Sequence, residues 1–231
     1  MIEVSCASLM PVRLGVVRAF SLNPDVFPPA FEERLTAARA RRTAQPGEEE
    51  ERVRAAARDM LRNGSYKPTG RGKPASEYLV RSALEGVFPR INPAVDVCNL
   101  VSLESLLPIS LWDVDKAGTS RFLVRLGRSG EAYVFNAAGQ VIELEDLVVG
   151  CRVPDSGPES GEPIVNPVKD SLATKTDAST RNIAAVIYAP LQLTVEAMMA
   201  VTEGFADLLA HCGSNVEAGW AIAGPGDTCR T

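Results

Sequence analysis

Residues 92–104 have the sequence Asn-Pro-Ala-Val-Asp-Val-Cys-Asn-Leu-Val-Ser-Leu-Glu, which carries the clearest structural signal in the chain. Asn92 is a good N-cap, and Pro93 suits the first helical position, where its missing N–H costs nothing. Asp96 and Asn99 share one face of the predicted helix. Apolar side chains recur at helical spacing on another face, which is predicted to be buried and comprises Ala94, Val97, Cys98 and Val101.

On the N-terminal side of this helix the sequence predicts one strand and three further helices. Residues 14–20 are rich in β-formers and predict a strand. Two charged stretches, 31–42 and 48–62, have apolar residues at helical spacing and predict an outer helical hairpin. Ser76 is predicted to cap a helix that stops at Gly86.

On the C-terminal side the pattern changes to strands. Three runs at 121–126, 132–135 and 140–144, joined by turn compositions, predict an antiparallel meander. An apolar strand at 182–189 follows, then a helix that stops at Gly213 and a glycine-rich, frayed tail. Because the strands are hairpin-linked and the helices cluster at the ends and on one face, the chain is predicted to be α+β.

Composition limits the classes of function. The 231 residues are 45% apolar and 23% charged, which is typical of a globular protein. The net charge of −5 means that a nucleic-acid contact would need a local basic patch. No apolar run approaches the roughly 20 residues of a membrane-spanning helix, and the N-terminus is acidic, so we expect a cytoplasmic protein without membrane contacts.

Metal and cofactor chemistry is not indicated by the sequence. The cysteines are odd in number, scattered and without a Cys-x-x-Cys pair, which predicts reduced thiols. His211 is the only histidine, and one imidazole cannot supply a zinc site. We therefore predict no bound metal and no cofactor.

A local basic patch is present between residues 62 and 90, where only Glu77 and Glu85 carry negative charge. Such a cluster predicts contacts with phosphates, whatever the base sequence. The predicted nucleic-acid-binding residues are Lys67, Arg71, Lys73, Arg81 and Arg90.

Several short motifs follow one another in a specific order. The main block has Val-Asp-Val-Cys-Asn-Leu-Val-Ser-Leu-Glu at 95–104, Leu-Pro-Ile at 107–109 and Trp-Asp-Val-Asp-Lys at 112–116. It resembles the tRNA-editing domain of the phenylalanyl-tRNA synthetase β subunit, which has a Val-Asp-x-x-Asn-x-x-x-Leu-Glu helix, a proline turn and a Phe-Asp-Leu-Asp-Lys segment. Upstream, Pro-Ala-Ser-Glu at 74–77 and Pro-Arg-Ile-Asn-Pro at 89–93 resemble the lead-in of free-standing versions.

This resemblance implies a single domain of the editing type, with a mixed or antiparallel sheet core at about 66–190. A helical extension, 1–65, precedes the core, and a helix at 191–212 with a tail follows it. The implied partner is tRNA or aminoacyl-tRNA, and the implied reaction is hydrolysis of mischarged aminoacyl-tRNA in trans. No synthetase activity is expected, since the sequence lacks motifs for adenylate formation. The sequence indicates no oligomeric state.

The resemblance also assigns site residues. Ser110 stands where bacterial synthetases place a histidine of the editing pocket, and Asn166-Pro-Val-Lys-Asp170 replaces their Gly-Gly-Glu segment. Asn166 and Asp170 are the predicted catalytic residues. Asp96 is a predicted anchor for the α-ammonium of the substrate and Asn99 a predicted hydrogen-bond donor. The predicted substrate-binding set is Asp96, Asn99, Ser110, Lys169 and Thr176.

Alternatives remain open for the function and for individual residues. Besides the deacylase, the chain could be a non-catalytic module that binds tRNA or an amino acid, or a protein-interaction or purely structural descendant of the domain. Asp96 and Asn99 could instead tie the helix to a loop, and Trp112 could belong to the core rather than stack on a base. A pocket lined by Asn99, Asn166 and Asp170 beside a basic rim would favour the deacylase.

Overall fold

The computed structural model describes residues 1–43 and 45–231. Its helices are α1 (Phe31–Ala40), α2 (Glu48–Asp59), α3 (Ala75–Leu84), α4 (Pro93–Ser105), α5 (Val114–Ala117) and α6 (Val195–Ala210). Its strands are β1 (Glu3–Cys6), β2 (Val12–Phe20), β3 (Ile109–Asp113), β4 (Arg121–Leu126), β5 (Ala132–Val134), β6 (Val141–Glu143), β7 (Val148–Arg152), β8 (Glu162–Val165), β9 (Ile183–Pro190), β10 (Glu217–Ala223) and β11 (Thr228–Arg230). The predicted α+β class is confirmed.

The strands form two larger sheets and one hairpin. The five-stranded sheet has the order β11-β1-β4-β7-β8, the four-stranded sheet has the order β10-β2-β9-β3, and β5 pairs with β6 alone. Of the predicted meander, the antiparallel pair β5–β6 is confirmed, whereas the place of β4 is wrong, because β4 pairs with β1 in parallel and with β7 in antiparallel orientation. Alternate side chains of β4 are buried, whereas those of β5 and β6 are largely exposed, so only β4 fits the interior of a sheet.

Two apolar clusters hold these layers together. One lies between the two larger sheets and contains Val16 and Val186. The other lies between the four-stranded sheet and helices α1, α3, α4 and α6, and contains Val17 and Ile187. Side chains of β9 enter both clusters, which explains why all eight of its residues are buried and apolar or aromatic.

The C-terminal segment differs from its prediction. Residues 217–223 form β10, which pairs with β2, and residues 228–230 form β11, which pairs with β1. The predicted frayed tail is therefore wrong. The glycines of this segment suggested disorder, but Trp220, Ile222 and Ala223 give it apolar surface to bury.

The helices on the N-terminal side of α4 also differ from their predictions. The buried side chains of α1 join the helix-side cluster, against which Val53 of α2 also packs. Ala57 of α2 joins the cluster between the sheets, so α2 is part of the core rather than of an outer hairpin. Ser76 is not the cap of α3: it is buried in the first turn, and Pro74 precedes the helix. The predicted cap of α4 is confirmed, since Asn92 Oδ1 accepts a 3.0 Å hydrogen bond from Val95 N.

The remaining apolar and thiol groups serve the core. Trp112 is 1% exposed and packs edge-on against Phe122, with ring centroids 4.9 Å apart, which confirms its core alternative. Cys6, Cys98, Cys151 and Cys212 are buried as free thiols. Among the described residues, no helix combines the length and apolar character needed to cross a membrane.

Candidate functional site

The loop between β8 and a short 3₁₀ turn (Leu172–Thr174) carries the predicted catalytic residues. Asn166 is 2% exposed, and its Oδ1 accepts hydrogen bonds of 2.8 Å from the backbone N–H groups of Val168 and Lys169. Its Nδ2 donates to the Tyr133 hydroxyl at 2.5 Å. An asparagine bonded to the backbone two and three residues ahead stabilises a tight turn. The Asn166 side chain therefore sets the shape of this loop.

Asp170 closes the same loop. Its carboxylate accepts hydrogen bonds of 3.2 Å from the backbone N–H groups of Asn166 and of Leu111 on β3. Burial raises the pKa of Asp170 to about 7, although these two backbone bonds and the positive charge of Lys175 oppose the shift. A carboxyl group with such a pKa can exchange a proton near neutral pH.

Ser110 links the loop to the four-stranded sheet. It is fully buried on β3, donates a 3.0 Å hydrogen bond to the Asn166 carbonyl and accepts one of 3.2 Å from the Tyr188 hydroxyl. The Tyr133 hydroxyl in turn donates to the Lys169 carbonyl at 2.7 Å. We call Ser110, Tyr133, Asn166, Asp170 and Tyr188 the polar network.

Sequence analysis missed the two tyrosines of the polar network. Each lies in a strand whose pattern indicates only a half-buried or buried aromatic residue. The Tyr133 hydroxyl contacts the loop, and the Tyr188 hydroxyl contacts Ser110 on β3. These contacts depend on topology rather than on spacing along the chain. A tyrosine in an otherwise aliphatic strand, such as Tyr188, is the one available hint, since a buried hydroxyl needs a partner.

A cleft of about 510 Å³ borders the loop at Lys169. The Lys169 ammonium lies 4.2 Å from the centroid of the Phe135 ring. The walls of the cleft are formed by Tyr66, Arg71, Gly72, Phe135, Gln140, Val141, Ile142, Glu143 and Lys169. This cleft differs from the predicted pocket, because Asn99, Asn166 and Asp170 do not line it. The polar network lies behind its wall.

Two other predicted substrate residues meet at the start of α4. Asp96 is 1% exposed, accepts a 2.7 Å hydrogen bond from Ile91 N and forms a 3.0 Å ion pair with Arg90 Nε. Burial raises the pKa of Asp96, although Arg90 and backbone N–H groups oppose the shift. Thr176 accepts a 3.3 Å bond from Asn92 Nδ2, beside a cavity of only about 10 Å³. These contacts tie α4 to its neighbouring loops.

Asn99 occupies a third position. It is partly buried on α4, and its side chain has no hydrogen-bond partner among residues 1–43 and 45–231. The polar network thus unites Ser110, Asn166 and Asp170, with Lys169 at its edge. The structure places Asp96, Asn99 and Thr176 outside that network.

The predicted basic patch has two parts. Arg81 pairs with Glu85 at 2.8 Å, and Arg90 pairs with Glu32 and Asp96. The Arg90 guanidinium also lies 4.9 Å from the centroids of two phenylalanine rings, Phe27 and Phe31. By contrast, three residues have no acidic partner in the part of the chain that the structure describes: Lys67, Arg71 and Lys73.

The family of the chain follows from a match to a protein-family model. The model of the B3/4 domain matches residues 69–199, which include Arg71, α4, Ser110 and the polar network. The chain belongs to the B3/4 domain family. This is the domain type found in the phenylalanyl-tRNA synthetase β subunit, and at the level of the family it indicates a module that interacts with RNA. A comparison with curated proteins gives no match.

Proposed function

We propose that this B3/4 domain binds aminoacyl-tRNA and hydrolyses mischarged species in trans. The observation that carries the proposal is the position of the Asn166–Asp170 loop. Hydrogen bonds with Ser110 and Tyr133 fix the loop, and its Lys169 lines a cleft together with Arg71, which has no acidic partner among the described residues. Membership of the B3/4 domain family supports RNA as the partner, and the loop places polar groups beside the cleft.

Ester hydrolysis requires a placed water, stabilisation of the oxyanion and an anchor for the substrate. The Lys169 ammonium provides positive charge at the cleft wall, where charge develops on an ester oxygen. Asp170, whose pKa burial raises to about 7, supplies a carboxyl group that can change protonation state at neutral pH. Asn166 acts as a positioning residue, because its side chain determines where Lys169 and Asp170 lie.

A deacylation screen across mischarged tRNAs tests this function. Wild-type protein should release at least one non-cognate amino acid faster than the spontaneous rate, because discrimination by binding alone is limited for similar side chains. For the loop variants Asn166→Ala and Asp170→Ala, the matched controls are Asn215→Ala and Asp25→Ala. Each control removes an exposed group of the same type away from the polar network. If every mischarged tRNA is deacylated only at its spontaneous rate, the deacylase proposal is rejected.

A non-catalytic module that binds tRNA or an amino acid is the second candidate. It is favoured by the buried, fully hydrogen-bonded side chains of Asn166 and Ser110, which are arranged as structural groups are. Under this alternative the wild-type protein binds tRNA with salt-dependent affinity and hydrolyses no ester. The same screen, run beside a tRNA-binding titration, distinguishes the two candidates.

A further inference from the structure

The cleft beside the polar network combines three kinds of chemistry. Arg71 and Lys169 supply two positive charges, Tyr66 and Phe135 supply two aromatic rings, and Glu143 supplies an exposed carboxylate. Its volume of about 510 Å³ lies within the roughly 300–1,000 Å³ of small-molecule sites. A cleft with separate cationic, aromatic and acceptor groups suits a ligand that has an anionic end, a planar ring and hydroxyl groups.

Arg71 is presented by a fixed turn. The Tyr66 hydroxyl donates a 2.9 Å hydrogen bond to the Gly72 carbonyl, and the Tyr78 hydroxyl donates one of 3.2 Å to the Gly70 carbonyl. Gly70 has a φ of +54°, and a Cβ on Gly72 would lie 2.8 Å from the Tyr66 hydroxyl oxygen. The positive φ therefore favours glycine at position 70, and Gly72 leaves room for the Tyr66 hydroxyl. The turn holds Arg71 at the cleft, where the described residues give it no acidic partner.

Lys169, which also lines the cleft, is fixed by its backbone. Its backbone N–H donates to Asn166 and its carbonyl accepts from Tyr133, so the loop cannot swing away without breaking the polar network. Its ammonium rests over the Phe135 ring rather than on a carboxylate. A lysine held in this way keeps its charge available for an anion.

We propose that this cleft binds a nucleoside 5′-phosphate unit. The phosphate contacts Arg71, the base lies against the rings of Tyr66 and Phe135, and Glu143 accepts hydrogen bonds from sugar hydroxyls, which leaves the Lys169 ammonium for the ester. This inference rests on the proposed function and makes it more specific. In aminoacyl-tRNA the unit is the 3′-terminal nucleotide, which would bring its ester to the wall formed by the Asn166–Asp170 loop.

Titration calorimetry with the full chain tests the cleft directly. We expect 5′-AMP to bind saturably, and adenosine and inorganic phosphate each to bind at least about tenfold more weakly, because each lacks half of the contacts. Arg71→Glu should weaken 5′-AMP binding at least about tenfold, whereas Arg41→Glu, which changes an exposed arginine outside the cleft, should leave it unchanged. Thermal melting of both variants checks that they fold.

The results separate this inference from the proposed function. Equal affinity for adenosine and 5′-AMP, or equal losses in Arg71→Glu and Arg41→Glu, would overturn the cleft assignment. If 5′-AMP binds as expected and no mischarged tRNA is hydrolysed, the cleft assignment stands and the deacylase fails. If Arg71→Glu hydrolyses mischarged tRNA as fast as wild type, the deacylase stands and the cleft assignment fails.

Discussion

The hydroxyl of Ser110 donates a 3.0 Å hydrogen bond to the backbone carbonyl of Asn166, joining the sheet to the candidate catalytic loop. Ser110→Ala removes this bond and leaves the Tyr188 hydroxyl without its acceptor. We expect it to lower the free energy of unfolding by about 1–3 kcal/mol, since buried polar groups are left unpaired. Urea denaturation measures the change. An unaltered midpoint would show that the bond contributes nothing to stability.

Ser110→His introduces the residue that the sequence resemblance to bacterial synthetases implies for this position. Because Ser110 is fully buried, the larger ring overfills its site, and we expect a greater loss of stability than for Ser110→Ala. The same urea denaturation compares the two variants. A histidine variant as stable as wild type would show that the network has room for the larger side chain.

Asp170 predicts a specific dependence of stability on pH. Its pKa is raised to about 7 in the folded protein, against about 3.9 in unfolded chains. The folded state therefore binds a proton more tightly, and the free energy of unfolding falls as pH rises from about 4 to about 7. Asp170→Asn cannot ionise, so its stability relative to wild type should increase over this range. Denaturant titrations at pH 5 and 7.5 measure the difference in the free energy of unfolding between Asp170→Asn and wild type. The same difference at both pH values would contradict the raised pKa.

Arg90 is predicted to be a structural residue. Arg90→Ala removes the partner of the buried Asp96 and the stacking on Phe27 and Phe31, which should cost about 1–3 kcal/mol of unfolding free energy. Arg81→Ala is the matched control, because that side chain is exposed and pairs only with Glu85. Calorimetric melting should show a clear decrease for the first variant and little change for the second. Equal melting temperatures would refute this role of Arg90.

The unpaired part of the basic patch should dominate the salt dependence of tRNA binding. Changing Lys67 and Arg71 to glutamate removes phosphate contacts, so the slope of log affinity against log salt should become shallower by about 1–2. Changing Arg81, which is already paired with Glu85, should alter the slope less. Filter binding at several salt concentrations gives the slopes. A slope that stays the same in the double variant would remove these residues from the interface.

The sequence predicted local structure where the signal was local. The cap at Asn92, the buried face of α4 and the strand at β9 depend on residues close together in the chain, and all were found. The predicted place of β4 in the meander was wrong because turn composition between β4 and β5 does not determine which strands pair. The tail failed because its pairing partners, β1 and β2, lie at the other end of the chain.

The candidate site was predictable only in part. Motif resemblance located Ser110, Asn166 and Asp170, and the structure joins them by hydrogen bonds. The resemblance could not show that these side chains face the interior, because their burial depends on how β3 and β8 pack. Tyr66 and Phe135 could not be predicted for the same reason: nothing in their local pattern indicates that they line one cleft with Arg71.

The central claim is that the Asn166–Asp170 loop supports ester hydrolysis and the basic residues support binding. Its most direct test measures deacylation and tRNA affinity together for wild type, Asn166→Ala and Asp170→Ala, with Asn215→Ala as control. We predict that both loop variants lose hydrolysis by a factor on the order of 10² or more and keep nearly wild-type tRNA affinity. Folded loop variants that hydrolyse mischarged tRNA at the wild-type rate would contradict the account.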